Sequence, residues 1–298
     1  MSTATPAPIR TLDAAILTHL QSWIGQTETL ADDITATPVR ALSATLDRDD
    51  APPVPGTTPP PLWHWLYFLP HPRPSEIGAD GHPQRGGFLP PVSLPRRMWA
   101  GGRLQWNPQN PLVVGDAVRR VSRIESVTHK AGRTGDLLFV LVKHEVHNAQ
   151  GLALSEEQDI VFRAAAQADD PVPPPLGVET GAAWHREIVP DDVLLFRYSA
   201  LTFNAHRIHY DRSYVTQVEG YPGLIVHGPL IATLLVDLAR RNAPGAFITK
   251  FNFKAVRPTY DLHPFRVNGQ LSPDGKTARL WAQDHEGWLT MQATAELA

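Results

Sequence analysis

The segment that decides the fold runs Pro229-Leu-Ile-Ala-Thr-Leu-Leu-Val-Asp-Leu-Ala-Arg240. Its composition predicts a helix with apolar residues on nearly every face. Such a helix must be enclosed by other elements, because a surface helix keeps one polar face toward water. An antiparallel sheet curled round the helix would enclose it. The sequence therefore predicts an α+β fold built on a central helix.

Segments typical of strands lie on both sides of this helix. The predicted strands are residues 118–127, 137–146, 153–165, 187–198, 246–256, 265–271 and 278–297. Turn signals at 130–133 and 148–151 separate the first three and predict an antiparallel meander. Two short surface helices are predicted upstream, at 12–23 and 38–46, with Thr37 as the N-cap of the second.

The 29 prolines are distributed unevenly and divide the chain. Residues 51–61 and 69–95 are proline-rich and aperiodic, which is typical either of an ordered wrap on a surface or of a flexible loop. Residues 169–176 are predicted to be a stiff linker. We therefore expect a first domain over 1–168 and a second over 177–298.

The composition is that of an ordinary globular protein, with 298 residues, 42% hydrophobic content and a net charge of −3. This balance argues against nucleic acid or an anionic membrane as partner, although a local basic pocket for a phosphorylated ligand remains allowed. The absence of cysteine excludes disulfides and thiol chemistry. Without a signal peptide or a long apolar span, the chain is predicted to be cytoplasmic and to bind a small molecule.

Polar residues cluster immediately before the central helix. The first run reads Phe196-Arg-Tyr-Ser-Ala-Leu-Thr-Phe-Asn-Ala-His-Arg-Ile-His-Tyr-Asp211, and the second reads Glu219-Gly-Tyr-Pro-Gly-Leu-Ile-Val-His-Gly-Pro229. Together they combine imidazoles with the free N–H groups of a helix N-terminus. Acid/base chemistry beside a carbonyl needs both, because one group moves the proton and the other stabilises an oxyanion. The two runs indicate an enzyme that acts on an activated acyl group.

These two runs and the later Phe251-Asn-Phe-Lys-Ala-Val-Arg-Pro258 resemble the MaoC-like hydratases and dehydratases of the hotdog fold. The resemblance implies a double hotdog, in which two antiparallel sheets each wrap round a central helix and the first domain is degenerate. Within the family, the runs are most similar to members that hydrate mesaconyl-C4-CoA (3-methylfumaryl-CoA) or itaconyl-CoA. A short, branched, dicarboxylic enoyl-CoA is thus the implied substrate, with CoA as part of it and no separate cofactor.

The family motif has a catalytic Asp, an Asn two residues later and a catalytic His five residues later. His209 matches the catalytic His, whereas Asn204 and His206 stand where the family has Asp and Asn. An amide can hold a water molecule but cannot carry its proton. We therefore expect His209 to transfer the proton and the amide of Gly228 to stabilise the oxyanion. Asn204 either positions the water or makes a local turn.

Five further residues are candidates for contact with the substrate: Arg207, His206, Tyr221, His227 and Arg257. An arginine must meet the distal carboxylate of a dicarboxylic substrate, since a buried unpaired carboxylate is costly. Arg207 is the first choice for that role, while Arg96, Arg97 and Arg103 are weaker candidates for the nucleotide end of CoA. His227 has the alternative role of fixing the turn before the helix.

Asp211 is expected to cap the helix-like segment 212–218 rather than to orient His209. No metal is predicted, because His206 and His209 alone are insufficient ligands. Signatures of nucleotide redox, phosphoryl transfer and serine hydrolase chemistry are missing from the sequence. Three alternatives stay open: a hotdog thioesterase, a (3R)-hydroxyacyl dehydratase acting on acyl-carrier-protein or CoA thioesters, and a non-catalytic acyl-CoA binding protein. A monomer and a homodimer are both compatible with the sequence.

Overall fold

One antiparallel sheet of ten strands runs through the part of the chain described by the computed structural model, which comprises residues 11–132, 135–165, 170, 174–178 and 180–298. The first half contributes β1 (Thr27–Asp33), β2 (Arg96–Trp106), β3 (Ala117–Gly132), β4 (Gly135–Asn148) and β5 (Gly151–Arg163). The second half contributes β6 (Trp184–Ile188), β7 (Ile248–Ala255), β8 (Phe265–Leu271), β9 (Thr277–Gln283) and β10 (Leu289–Leu297). The strand order is β1-β3-β4-β5-β2-β7-β10-β9-β8-β6. Each half therefore keeps its own five strands, and the halves meet at the β2–β7 pair.

The helices lie mainly against the second half. They are α1 (Ala14–Gln21), α2 (Ala36–Thr45), α3 (Asp192–Leu201), α4 (Arg212–Gln217) and α5 (Gly228–Asn242), with 3-10 turns at Trp63–Leu66, Pro74–Glu76 and Arg207–His209. Proline near the first position starts α5 without the loss of a hydrogen bond. Every residue of α5 from Leu230 to Ala239 is buried, which confirms the predicted central helix. None of the helices in the described ranges is long and apolar enough to cross a membrane.

A buried carboxylate holds α5 in place. Asp237 is 1% exposed and forms ion pairs with Arg48 at 2.7 Å, Arg186 at 2.9 Å and Arg241 at 2.7 Å. These arginines come from the segment after α2, from β6 and from α5 itself. A buried charge is tolerated only when it is paired, so this cluster fixes the three elements relative to one another.

The elements that pack on the inner face of the sheet differ between the two halves. Instead of a long helix, α1 and the extended segment near Val92 and Leu94 pack on it, together with Ile124 and Phe162 from the sheet. Residues of α2 join the other core, around α5. The expectation that the first hotdog is degenerate stays a prediction.

The junction between the halves depends on two glycines of β2. A Cβ atom on Gly102 would lie 2.8 Å from Cε1 of Phe253, and one on Gly101 would lie 2.6 Å from the carbonyl oxygen of Phe253. A side chain at either position would push β7 away. Glycine therefore permits the close approach that makes the two halves one sheet.

Several predicted elements need correction. The segment 187–198 was predicted to be a strand, but the strand ends at Ile188 and α3 begins at Asp192. The carboxylate of Asp191 accepts a hydrogen bond from the N–H of Leu194, which is an N-cap. A short apolar run suits either a strand or a buried helix, so periodicity alone could not separate them.

The N-cap of α2 is Thr35 rather than the predicted Thr37, and its side chain makes no capping bond. The predicted last strand is a hairpin of β9 and β10, and β1 was not predicted. Half of the predicted linker, residues 169 and 171–173, lies outside the described residues. The domain boundaries stay a prediction.

Candidate active site

His209 lies on the 3-10 turn between α3 and α4, and its ring is buried. Its Nδ1 is 2.7 Å from the carbonyl oxygen of Ile225. A carbonyl oxygen only accepts hydrogen bonds, so Nδ1 must carry the ring proton. The lone pair of the neutral ring is therefore on Nε2, where it can act as a base.

Burial lowers the pKa of His209 to about 4, even though the hydrogen bond to Ile225 raises it. The nearby ring of His82 lowers this pKa further. At neutral pH the imidazole of His209 is consequently unprotonated. The ring is in the state that general base catalysis requires.

His227 supports the ring of His209 from one side. The two rings stack with their centroids 3.7 Å apart and their planes at 19°. Nε2 of His227 is 2.7 Å from Oγ of Ser199 on α3. Burial holds the pKa of His227 well below its ordinary value, so two neutral rings stack without charge repulsion. His227 is 1% exposed and packs on the base. A contact of His227 with substrate stays a prediction.

The N-terminus of α5 begins at the residue after His227, beside the base. Because Pro229 has no N–H, the amides of Gly228 and Leu230 are the free donors of the first turn. A Cβ atom on Gly228 would have one neighbour within 4 Å among the described residues outside its own helix, the carbonyl oxygen of Trp99 at 4.0 Å. Gly228 is only partly buried, and a role of its amide as oxyanion donor stays a prediction.

Asn204 makes the local turn that was one of its two expected roles. Its Oδ1 accepts a hydrogen bond of 3.0 Å from the N–H of His206. This bond shapes the loop that leads to His209. A contact between Asn204 and a catalytic water stays a prediction.

Arg207 has internal partners. Its Nη2 is 2.7 Å from Oδ2 of Asp211, its Nη1 is 3.0 Å from the carbonyl oxygen of Ala79, and its guanidinium lies 4.0 Å from the ring centroid of Tyr214. Asp211 in turn accepts a bond of 2.9 Å from the N–H of Tyr214, which confirms it as an N-cap. These contacts favour a structural role for Arg207.

Tyr221 lies in the turn before α5, against the start of β2. The guanidinium of Arg96 is 4.8 Å from the ring centroid of Tyr221, and Nη2 of Arg96 donates to the carbonyl oxygen of Glu219 at 2.8 Å. Arg257, the other predicted substrate contact, forms an ion pair of 3.3 Å with Asp284. Arg103 is likewise paired, with Glu157 and Asp159. Contacts of Tyr221 and Arg257 with substrate stay predictions.

Two site residues, Asp80 and His82, were not predicted from the sequence. Both lie in the proline-rich stretch 69–95 of the first half. The ring centroids of His82 and His206 are 3.9 Å apart, and Nδ1 of His82 is 3.1 Å from Oδ2 of Asp80. The N–H of Arg207 donates to the carbonyl oxygen of Asp80 at 2.9 Å. This part of the stretch, which we call the wrap (residues 78–82), is thus ordered against the motif loop. The Asp-Gly-His turn was the available signal in the sequence.

The wrap changes the electrostatics of the loop. Burial lowers the pKa of His206 to about 2, with smaller contributions from His82 and His209. Burial also acts on Asp80, but the hydrogen bonds from His82 outweigh it and hold the pKa of that carboxyl well below its usual range. The wrap therefore places one ionised carboxylate beside neutral imidazoles.

Asp80, His82 and His206 also form the group of three metal-type ligands in the described part of the chain, with their ligand atoms within 4.8 Å of one another. A hydrogen bond already joins Asp80 to His82, and a cation would have to replace it. The expectation that no metal and no separate cofactor takes part stays a prediction.

Comparison with known proteins identifies the family. The family model described as hydroxyacyl-thioester dehydratase type 2 matches residues 62–261, which is more than half of the chain. The mesaconyl-C(4)-CoA hydratase of Chloroflexus aurantiacus is 47% identical over 279 residues, covering 93% of this chain and 97% of that protein. The mitochondrial hydroxyacyl-thioester dehydratase type 2 of Schizosaccharomyces pombe is 25% identical over 229 residues, covering 70% of this chain and 76% of that protein.

Solved structures agree on the fold. A MaoC-like dehydratase has a TM-score of 0.66 at 15% identity and covers 93% of this chain and 99% of its own. A Mycobacterium tuberculosis protein described as a double hotdog has a TM-score of 0.57 at 13% identity and covers 92% of this chain and 96% of its own. The predicted α+β double hotdog is therefore confirmed. The chain belongs to the hydroxyacyl-thioester dehydratase type 2 family of MaoC-like hotdog proteins, and it is a hydro-lyase.

Proposed function

We propose that this enzyme adds water to the 2,3-double bond of a short, branched, dicarboxylic enoyl-CoA, with mesaconyl-C4-CoA as the first candidate and itaconyl-CoA as the second. The observation that carries the proposal is the neutral His209, with Nε2 unprotonated, beside the N-terminus of α5. The 47% identity to a mesaconyl-C(4)-CoA hydratase supports the choice of substrate. CoA is part of this substrate, so the chemistry needs no separate cofactor.

The addition begins with the water molecule. Nε2 of His209 takes one proton from water while the oxygen bonds to the β-carbon, and the electron pair of the double bond moves toward the thioester. Negative charge then grows on the thioester oxygen. The amide of Gly228 and the partial positive charge of the α5 N-terminus stabilise that oxygen.

The same imidazole completes the reaction. The His209 imidazolium gives its proton to the α-carbon, the enolate collapses to the thioester, and the neutral base is restored. One hydrogen has then gone to the α-carbon and one hydroxyl to the β-carbon, with the thioester intact. Stacked His227 and the bond from Nδ1 to Ile225 keep the ring in one orientation through both transfers.

Dehydration of a 3-hydroxyacyl thioester is a second candidate, because the matching family and the Schizosaccharomyces pombe relative carry that description. It uses the same site in reverse. A thioesterase is less well supported, since hotdog thioesterases generally place a carboxylate beside the helix N-terminus. Here Asp211 caps α4 and pairs with Arg207, while Asp80 is bonded to His82.

The test is an assay of the purified protein with mesaconyl-C4-CoA, itaconyl-CoA and crotonyl-CoA by absorbance and mass spectrometry, beside His209→Ala. We expect the mass of one water to be gained with the thioester intact, and the gain to be lost in the variant. Release of free CoA would assign the protein to the thioesterases. Binding without turnover on any of the three would favour a non-catalytic role.

A further inference from the structure

Arg97 is the second residue of β2 and lies opposite Phe162 of β5. Opposite residues in an antiparallel pair point to the same face of the sheet, and Phe162 is fully buried. The side chain of Arg97 therefore points inward, and it is partly buried. A guanidinium in such a place ordinarily has an anionic or carbonyl partner, because an unpaired buried charge is costly.

Arg97 lacks such a partner within the described residues: no hydrogen bond or ion pair joins its guanidinium to them. Burial accordingly lowers its pKa to about 10, and the carboxylate of Asp80 raises it only in part. Other arginines around the site are engaged. Arg85 donates to the carbonyls of Val92, Leu94 and Pro95, Arg96 to that of Glu219, Arg207 to Asp211, and Arg257 is paired with Asp284.

The electrostatic effect of Arg97 and the course of β2 relate Arg97 to the site. The charge of Arg97 lowers the pKa of both His82 and His206, and the ring centroids of His206 and His209 are 5.4 Å apart. The strand of Arg97 also reaches the oxyanion side. Trp99, two residues further along β2 and on the same face as Arg97, has its carbonyl oxygen 4.0 Å from the position of a Cβ on Gly228.

The charges around the wrap leave one positive charge in excess. Asp80 faces two guanidiniums, those of Arg85 and Arg97, and both of its carboxylate oxygens already accept bonds from His82. The histidines are neutral because their pKa values are lowered. A single negative charge on a ligand would balance the site.

We propose that Arg97 binds the free carboxylate on the β-carbon of a dicarboxylic acyl-CoA and so selects for this class of substrate. The inference rests on the proposed function and deepens it. In mesaconyl-C4-CoA the carboxylate is bonded to the carbon that water attacks, so its partner must lie beside the base. The charge of Arg97 acts on His206, whose ring is next to that of His209, whereas Arg207 is paired with Asp211. A guanidinium binds a carboxylate through two parallel hydrogen bonds. Arg97 thus serves the acyl end rather than the nucleotide end.

The test compares the binding of succinyl-CoA and butyryl-CoA by isothermal titration calorimetry. The two ligands differ in one group, since the β-carbon carries a carboxylate in the first and a methyl in the second. Neither has a double bond, so the result is independent of hydration. A failure of the proposed function would appear in the turnover assay, and a failure of this inference would appear here.

The wild-type protein should bind succinyl-CoA more tightly than butyryl-CoA. In Arg97→Met the affinity for succinyl-CoA should fall by about 30-fold or more, as when one partner of a buried charge pair is removed. The affinity for butyryl-CoA should stay within about threefold, because it lacks the charged group. Arg123→Gln is the matched control, as Arg123 is an exposed arginine of β3 that is paired with Glu125.

A parallel loss for both ligands would overturn the inference, since Arg97 would then contact the CoA part. An unchanged preference for succinyl-CoA would overturn it as well. Arg97→Lys covers the case in which Arg97→Met does not fold. Lysine keeps the charge and the apolar stem but lacks the forked donors of a guanidinium. We therefore expect a preference for succinyl-CoA over butyryl-CoA between those of wild type and Arg97→Met. An affinity for succinyl-CoA equal to wild type would contradict recognition by the guanidinium.

Discussion

His209 combines an unprotonated Nε2 with a pKa of about 4, well below that of an exposed imidazole. A group with so low a pKa is a weak base, but its protonated form is a strong acid. In the proposed mechanism, such an acid would readily return to the α-carbon the proton taken from water. Burial is the main cause of the low pKa, and in this mechanism it would also keep bulk water from competing for the enolate.

The low pKa of His209 predicts an unusual pH dependence. Protonation of Nε2 removes the base, so kcat/KM for hydration should fall only as the pH drops through about 4, not through the ordinary value near 6.5. The unfolded chain takes up the proton first, so this group also makes the fold less stable as the pH falls from about 6.5 to about 4. The measurement is a pH–rate profile, with circular dichroism at each pH as control. An acid limb near 6.5 in folded protein would contradict the placement of the base.

Gly228→Ala should lower the activity without lowering the stability of the fold. A methyl group at this position would lie 4.0 Å from the carbonyl oxygen of Trp99, so the protein can accommodate it. It would nevertheless occupy the space through which an oxyanion approaches the amide, and kcat/KM should fall by about 10-fold to 100-fold with the melting temperature unchanged. Steady-state kinetics and thermal melts check this. Wild-type kinetics in the variant would show that the thioester oxygen binds elsewhere.

At the scale of elements, the wrap (residues 78–82) is one contribution of the first half to the site. Gly81 has a φ of 89°, and a Cβ on it would lie 1.8 Å from the carbonyl oxygen of Ala205 in the motif loop. Only glycine allows both the left-handed backbone and this close approach. The wrap can then place Asp80 and His82 against His206.

Gly81→Ala should displace the wrap from the motif loop. We expect kcat/KM to fall by about 10-fold or more, because small misplacements of a catalytic loop are costly, and the melting temperature to fall as well. Gly87→Ala is the matched control, since a Cβ there meets nothing within 4 Å. Equal activity in the two variants would show that the wrap has no part in the site.

At the scale of the whole molecule, the two halves share one core as well as one sheet. The cluster around α5 includes Leu104, Val118 and Val146 from the first half. Phe253 of β7 contacts the rings of Trp65 and Trp99, at centroid distances of 6.2 Å and 5.8 Å. Elements that share buried contacts unfold together, so we expect the halves to behave as one cooperative unit.

Phe253→Ala should lower the free energy of unfolding by about 3–5 kcal/mol, the usual cost of removing a buried phenylalanine ring. The unfolding transition should remain single, because contacts of both halves are weakened at once. Phe196→Ala, at a position 65% exposed, is the control and should change stability by less than about 0.5 kcal/mol. Two separate transitions in denaturant would contradict a shared core.

The features that the sequence predicted correctly are those encoded over a few consecutive residues. The buried character of α5, the β3–β4–β5 meander and the Asp211 cap follow from periodicity, turn residues and a short polar side chain before a helix. The strand predicted over 187–198 was wrong because its apolar run suits two structures, and the Asp191 cap decided for the helix.

The sequence by itself determined the family, the enclosed central helix and the place of His209 in its motif, since these are patterns within short stretches of chain. Only the tertiary structure brought Asp80 and His82 to His206 and left Arg97, rather than Arg207, without a partner among the described residues. These relations join residues far apart in the chain. They depend on how the sheet and the wrap carry the first half onto the second, which no local pattern specifies.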